Sequence, residues 1–262
     1  MPIIKINGIN TYYEIAGTGE PLLLIHGLGS STLDWESQVE YFSKRYMVIT
    51  FDLRGHGKTD KPPGPYTIPL FASDAFALIR ELNVAPLHAA GLSLGGLILF
   101  QMAVTQPELF RSIVFINCLP DATAKDIRLR LMVFQRRMLI KLLPFSLLGK
   151  IGSKMLFPKP EHENLRKLFV ERFMQNDKKA YYNSFMAIRD WDVTDRLGNI
   201  KCPVLVVSSD QDNTPIAMKE AYVTRIPEAK LVVIPDSRHA VTMERPTEFN
   251  KAMDDFLSNL KK

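Results

Sequence analysis

The residues Gly91-Leu92-Ser93-Leu94-Gly95-Gly96 have the types and spacing for nucleophilic chemistry. The segment before them, Leu87-His88-Ala89-Ala90, reads as the end of a buried strand, and the apolar run from Leu97 to Ala103 reads as a helix. Strand, Gly-x-Ser-x-Gly, helix describes a tight turn that holds one serine in strained backbone geometry with its hydroxyl exposed. The glycines are steric requirements, because side chains there would strike the neighbouring strand and helix. A serine alcohol is a poor nucleophile alone, so Ser93 calls for a histidine base and an acid to orient it.

His239 is the expected base. It lies in the loop Asp236-Ser237-Arg238-His239, directly after an apolar run from Lys230 to Pro235 that reads as a late strand. The other histidines fit less well: His162 sits in a charged segment, His88 inside the strand that leads to the turn, and His26 and His56 beside glycines, where a structural hydrogen bond is the expected job. Acyl transfer through a serine also needs fixed N–H donors for the negative oxygen of the tetrahedral intermediate. One is expected from Leu94, the residue after the nucleophile. The other is assigned by position to Leu28, in the loop His26-Gly27-Leu28-Gly29 that follows the apolar run Pro21–Ile25.

These motifs, together with Asp52-Leu53-Arg54-Gly55-His56-Gly57, give the chain its resemblance to the α/β-hydrolases from Ile3 to about Leu260. The group it resembles contains bacterial esterases, lactonases, carbon–carbon bond hydrolases and cofactor-free haloperoxidases. The resemblance implies a mostly parallel eight-stranded sheet flanked by helices, with an inserted all-helical lid. It implies the order Ser, Asp, His along the chain, and it makes Asp52 to Gly57 a brace beneath the site. Relatives with an aspartate nucleophile, the haloalkane dehalogenases and epoxide hydrolases, are excluded because position 93 is serine.

The acid is drawn from the loop after the strand Val204–Val207, which offers Asp210 and Asp212 ahead of Thr214-Pro215. Members of this fold carry Gly-x-x-Asp here, and aligning Ser209 with that glycine favours Asp212, leaving Asp210 as a solvated loop or cap residue. The interval to Pro215 is one residue shorter than in the family pattern. Asp121, after the strand Ile113–Ile116, is a more distant alternative.

Strands are expected at Ile3–Ile6, Thr11–Ile15, Leu22–Ile25, Met47–Phe51, Leu87–Ala90, Ile113–Ile116, Val204–Val207 and Leu231–Ile234. Core helices are expected at Asp34–Phe42, Ile68–Leu82, Leu94–Thr105, Ile216–Arg225 and Glu248–Leu260. Residues 1–120 and 191–262 therefore read as the core. Residues 121–190 read as the lid, with helices at Lys125–Leu142, Phe145–Met155, Glu163–Met174 and Lys178–Arg189.

The charge is divided unevenly. Residues 121–190 hold fifteen Lys/Arg against seven Asp/Glu, whereas the remainder holds eighteen against twenty-one, so the net charge of +5 comes from the insertion. Arg130, Arg137 and Lys141 form one stripe of the first lid helix, in a stretch otherwise rich in apolar residues. Such a surface favours an acidic partner. Esterases that demethylate a pimeloyl-carrier protein also have arginines on the lid, which adds an acidic acyl carrier protein to the expected partners. A solvated basic face is the plainer alternative. Nothing resembles a nucleic-acid recognition module.

A chain of 262 residues with 46% hydrophobic and 23% charged residues suits one globular domain with an insertion. No basic region followed by an apolar core opens the sequence, no run is long enough to span a membrane, and Cys118 and Cys202 are the only cysteines; a cytoplasmic protein with reduced thiols is expected. No Cys/His cluster has metal-ligand spacing and no Gly-x-Gly-x-x-Gly opens a helix, so neither metal nor other cofactor is expected. The expected reaction is hydrolysis of a carboxylic ester, small or with an acyl chain, through an acyl-enzyme on Ser93, His239 and Asp212. A lactonase, a carbon–carbon bond hydrolase or a cofactor-free haloperoxidase would share these residues, and a non-catalytic binding protein could retain them.

Overall fold

A computed structural model describes residues 2–124 and 127–260. Among them, eight strands form one sheet in the order β1-β2-β4-β3-β5-β6-β7-β8. β1 (Ile3–Ile6) and β2 (Ile9–Ala16) make an antiparallel hairpin. Its turn residues Asn7 and Gly8 have φ of 46° and 79°, the left-handed values that match a tight turn to strand twist. β2 joins β4 (Tyr46–Phe51) antiparallel, and from there β3 (Glu20–Ile25), β5 (Leu87–Leu92), β6 (Phe110–Ile116), β7 (Val204–Ser209) and β8 (Ala229–Ile234) run parallel. The central parallel strands read as unbroken apolar runs because both faces are covered. α2 (Ile68–Leu82) and α3 (Leu94–Thr105) pack on one face, and α1 (Glu36–Phe42) and the last long helix, Pro246–Ser258, on the other.

Most elements lie where the sequence places them, with strands a few residues longer. Asp34 and Trp35 belong to a 3-10 turn, Thr32–Trp35, rather than to α1. β7 runs on through Ser208 and Ser209, which are polar yet fully buried. They are accommodated because Ser208 Oγ donates to the Ser209 carbonyl at 3.1 Å, Ser209 Oγ donates to the Arg238 carbonyl at 2.6 Å and Asn117 Nδ2 donates to Ser209 Oγ at 2.9 Å. β8 is half-exposed rather than buried, because it closes the sheet with only one neighbour.

Between β6 and β7 stand α4 (Ile127–Leu142), α5 (Phe145–Leu156), α6 (Glu163–Phe173) and α7 (Lys178–Ala187). Lys125, where the sequence reading starts the first of these helices, lies outside the described residues. The neck of the insertion is closed by backbone hydrogen bonds, Ala122 to Trp191 at 2.9 Å and Val193 to Pro120 at 3.0 Å. Ile140, Phe173, Tyr181 and Phe185 form a small core of their own, and Leu28 of the main body packs against both that core and the central one. After β7 come α8 (Ile216–Val223), β8, the short α9 (Val241–Glu244) and α10 (Pro246–Ser258).

Candidate active site

Parallel strands gather their carboxyl ends on one edge of the sheet, where ligands bind in open α/β folds. β5 ends one residue before Ser93, β3 runs into His26–Gly29, β7 into the Asp210–Asp212 loop, and β8 into the loop of His239. Ser93 has φ 54° and ψ −114°, a conformation costly for a side chain with a Cβ and held only where its surroundings enforce it. Its N–H donates to the Ile116 carbonyl at 3.0 Å, and its carbonyl accepts the Leu97 N–H at 3.1 Å. A methyl group at Gly91 would stand 2.5 Å from the Gly95 carbonyl oxygen, and one at Gly95 would overlap that of Ile25. No other residue fits either position, as the motif requires.

Ser93 Oγ lies 2.8 Å from His239 Nε2, and His239 Nδ1 lies 2.6 Å from Asp212 Oδ1. Ser93, His239 and Asp212 are thus one hydrogen-bonded line, with Asp212 fully buried and the imidazole a quarter exposed. Burial would raise the Asp212 carboxyl, but the His239 hydrogen bond and the Lys219 ammonium outweigh it and hold it below the usual carboxylate range. The carboxylate therefore stays ionised and fixes the ring with Nδ1 protonated and Nε2 free to accept the serine proton.

Asp210 does a different job. Its two oxygens accept the Asp236 N–H at 2.9 Å and the Ser237 N–H at 3.0 Å, so it ties down the loop that carries His239. Asn117 adds a second tie, donating to the carbonyls of His239 at 3.0 Å and Arg238 at 3.2 Å. Asp121 is placed elsewhere. It accepts the Thr123 N–H and hydroxyl and bridges to Asp192 at the neck of the insertion.

Leu94 opens α3, so its N–H belongs to the first turn, which has no intrahelical acceptor. A Cβ on Gly27 would lie 3.5 Å from Ser93 Cβ, which puts the loop of Leu28 against the same serine. That loop is built to stay still. His26 Nδ1 lies 2.8 Å from the Gly27 carbonyl and its Nε2 takes the Leu53 N–H at 3.0 Å, with burial pushing its pKa down to about 4. The buried Asp52 receives the N–H groups of Thr32 and Lys58, both at 2.7 Å, which joins the β3 and β4 loops. His56 is buried and neutral like His26, and His88 bonds Ser112 inside the sheet.

Arg130, Arg137 and Lys141 stand on α4 with uneven surroundings. Arg130 donates to the Ala124 carbonyl, Arg137 to the Tyr182 hydroxyl at 3.0 Å, and Lys141 lies 5.4 Å from the Tyr182 ring centre. All three cations thus have a partner within the insertion itself. Cys118 and Cys202 are free and buried, and burial pushes the Cys202 thiol up to about 12. Among the described residues no group of three or more His, Cys, Asp or Glu is arranged to hold a metal ion, and no helix is long and apolar enough to cross a membrane. A groove of 1020 Å³ runs along the edge between β8 and α10 and contains none of Ser93, Asp212 or His239.

Residues 20–246 match the family model described as alpha/beta hydrolase fold. The chain belongs to that family. It is 30% identical over 255 residues to the (E)-2-((N-methylformamido)methylene)succinate hydrolase of Acinetobacter baylyi, an alignment covering 96% of this chain and 95% of that one. It is 28% identical over 238 residues to 3-oxoadipate enol-lactonase 2 of the same organism, covering 89% and 86%. The crystal structure of the enol-lactonase from Burkholderia xenovorans LB400 superposes with a TM-score of 0.90 at 26% identity, covering 98% of this chain and 100% of that one. This α/β-hydrolase is a hydrolase by family and by the names of its relatives.

Residues absent from the sequence reading also shape the site. Lys219 of α8 is fully buried beside Asp212, and Asn176, between α6 and α7, links the insertion to the loop of Leu28. Lys219 could have been suspected from its spacing, seven residues after Asp212 and on a helix, had the burial of that helix face been known. Asn176 carries no sequence signal.

Proposed function

We propose that this α/β-hydrolase cleaves a carboxylic ester through an acyl-enzyme. The observation that carries the reading is the unbroken line from Ser93 Oγ through His239 to Asp212, set on a strained turn at the head of α3. Ser93 Oγ attacks the carbonyl carbon while its proton passes to His239 Nε2. Negative charge on the former carbonyl oxygen meets the N–H groups of Leu28 and Leu94, each worth about 3 kcal/mol of transition-state stabilisation. As the C–O bond breaks, Nε2 returns the proton to the leaving alkoxide. Water then gives its proton to Nε2 as it attacks the acyl carbon. The bond from that carbon to Ser93 Oγ breaks as Nε2 returns the proton to Oγ and the acid leaves, with Asp212 holding the imidazolium at each step.

Cyclic esters are the second reading, supported by the relatives named as enol-lactonases. One experiment tests both: hydrolysis of p-nitrophenyl esters of graded chain length, of methyl esters and of enol-lactones by wild type and Ser93→Ala. Wild type is expected to turn over at least one oxygen-ester class, with a methyl or p-nitrophenyl preference for the first reading and a lactone preference for the second. The variant should lose about 10⁴-fold or more. A fluorophosphonate should label Ser93 alone. Ester hydrolysis by Ser93→Ala within tenfold of wild type would sink the assignment.

A further inference from the structure

α4 carries two apolar stripes, not one. Val133 and Ile140 face the core of the insertion, and Ile140 is buried there. At 3.6 residues per turn, Ile127, Leu131, Phe134, Met138 and Leu142 recur at intervals of four, three, four and four and line up on the opposite side. That side faces solvent, with Met138 half-buried: Ile127 is 81% exposed, Leu131 53%, Phe134 54% and Leu142 73%. α5 continues the pattern with Leu147, Ile151 and Met155, the last 66% exposed. Contiguous apolar surface of this kind marks an interaction site.

The charges select the occupant. Residues 127–156 contain seven Lys/Arg and no Asp or Glu. Arg130 and Lys141 flank one edge of the α4 stripe and Arg128 the other. A second copy docking on this face would set like charges along both edges. An acidic protein would satisfy the charge, but a helix-binding groove covers a single stripe, and here Met132 and Leu139 extend the exposed apolar surface around the rod. A fluid bilayer moulds itself to such a convex surface. Anionic headgroups answer the cations, whose alkyl stems can lie along the apolar boundary.

We propose that α4 and α5 dock the protein on an anionic lipid surface, with Ile127, Leu131, Phe134 and Leu142 in the headgroup–acyl boundary and the flanking arginines and lysines on lipid phosphates. The proposal does not depend on which bond the site cleaves.

Co-sedimentation tests it with vesicles of phosphatidylcholine alone and of phosphatidylcholine mixed in equal parts with phosphatidylglycerol. Wild type is expected to pellet with the mixed vesicles, much less with the neutral ones, and progressively less as salt is raised. Leu131→Gln with Phe134→Gln should weaken partitioning about tenfold or more, since apolar contact supplies part of the binding. Arg128→Gln, Arg130→Gln and Lys141→Gln together should weaken it about a hundredfold, at roughly fivefold for each cation near such a surface. Phe134→Trp provides a direct reporter, because Trp35 and Trp191 are buried, and its emission should shift to the blue on mixed vesicles. Circular dichroism of every variant must match wild type, which the exposure of these positions favours.

Failure to pellet with mixed vesicles at low salt would overturn the proposal. So would binding indifferent to Leu131→Gln with Phe134→Gln, which would be charge attraction without insertion. A dimer in solution that this pair of substitutions splits would assign the face to a second copy instead. Binding of an acyl carrier protein without binding of vesicles would assign it to a protein.

Discussion

Lys219 Nζ stands 2.7 Å from Asp212 Oδ2, on the carboxylate oxygen that does not face His239, and both side chains are fully buried. Thr214 completes the same oxygen's partners through its hydroxyl and its N–H, and its carbonyl accepts from Lys219 at 3.0 Å. The acid of the hydrogen-bonded line is therefore half of a buried ion pair. Losing one member of such a pair leaves an uncompensated charge, whereas replacing both members can be close to neutral.

Stability should follow that asymmetry. Asp212→Asn is expected to lower unfolding free energy by about 3 kcal/mol, and adding Lys219→Met should restore most of it. Urea unfolding of the single and double variants measures this. The pH dependence has a fixed sign. The folded-state Asp212 carboxyl lies below its usual range, so its stabilisation is present above that range and is lost as pH falls through the lower folded value. The double variant should therefore lose less stability on acidification than wild type. Equal acid sensitivity would place the titrating groups elsewhere, with Asp236 the first to examine.

Lys219→Met should also move the acid limb of the kcat/KM profile to higher pH. The charged and titratable groups around the pair are Asp212, Lys219, the Cys118 thiol pushed up by burial, the Tyr222 hydroxyl raised in the same way, and His239. Removing the ammonium leaves burial less opposed at Asp212, whose carboxyl rises toward its usual range, so more enzyme has lost the carboxylate at a given acid pH. Lys219→Arg should keep the limb near wild type. A limb that stays in place in Lys219→Met, with activity merely scaled down, would make Lys219 a packing residue only.

Asp210→Asn and Asp212→Asn should separate by orders of magnitude. Losing the carboxylate that fixes the tautomer costs about 10⁴ in kcat in a serine triad. Asparagine at 210 has one acceptor oxygen where the carboxylate has two, so one of the Asp236 and Ser237 N–H bonds is lost and the loop of His239 loosens. A loss of about tenfold is expected, through orientation alone. Initial rates on one p-nitrophenyl ester decide it, and the reverse ranking would remove Asp212 from the acid's role.

What the sequence made legible is local. Ser93, Gly91 and Gly95 announce themselves because one turn imposes their types. His239 follows from a strand and the loop after it, and the long parallel strands from continuous apolar runs. Asp212 and Asp210 are two residues apart with the same chemistry, so only the facing imidazole and the N–H groups of the His239 loop tell them apart. Lys219 reads as one more surface cation until α8 is seen packed over the β7 loop. The second stripe of α4 was hidden for a related reason: apolar residues on both sides of a helix look like ordinary core unless the partner of each side is known.

Asn176 offers a test of the Leu28 donor that leaves the hydrogen-bonded line untouched. Its Nδ2 donates to the Gly29 carbonyl at 3.0 Å and to Phe173 at 3.1 Å, while its Oδ1 accepts the Gly57 N–H at 3.1 Å. It is buried, and Arg172 holds the same region by donating to the Leu33 carbonyl at 2.6 Å and pairing with Asp34. From the insertion side the loop of Leu28 is thus hydrogen-bonded by the Asn176 amide, while Leu28 itself packs against the insertion's core. An oxyanion donor acts on charge that appears only in the transition state, and removing one outright costs about 10² to 10³ in kcat. Asn176→Ala leaves the Leu28 N–H in place but frees its neighbour Gly29, so a fall in kcat of about tenfold is expected with KM for a short ester nearly unchanged. Asn176→Asp should do no better, since it keeps an acceptor for Gly57 but sets a carboxylate against the Gly29 carbonyl. Steady-state kinetics on a short p-nitrophenyl ester, at a temperature where urea unfolding shows both variants folded, provides the measurement. A rise in KM at constant kcat would mean that the loop holds the ground-state substrate instead, and Leu28 would lose its place as an oxyanion donor.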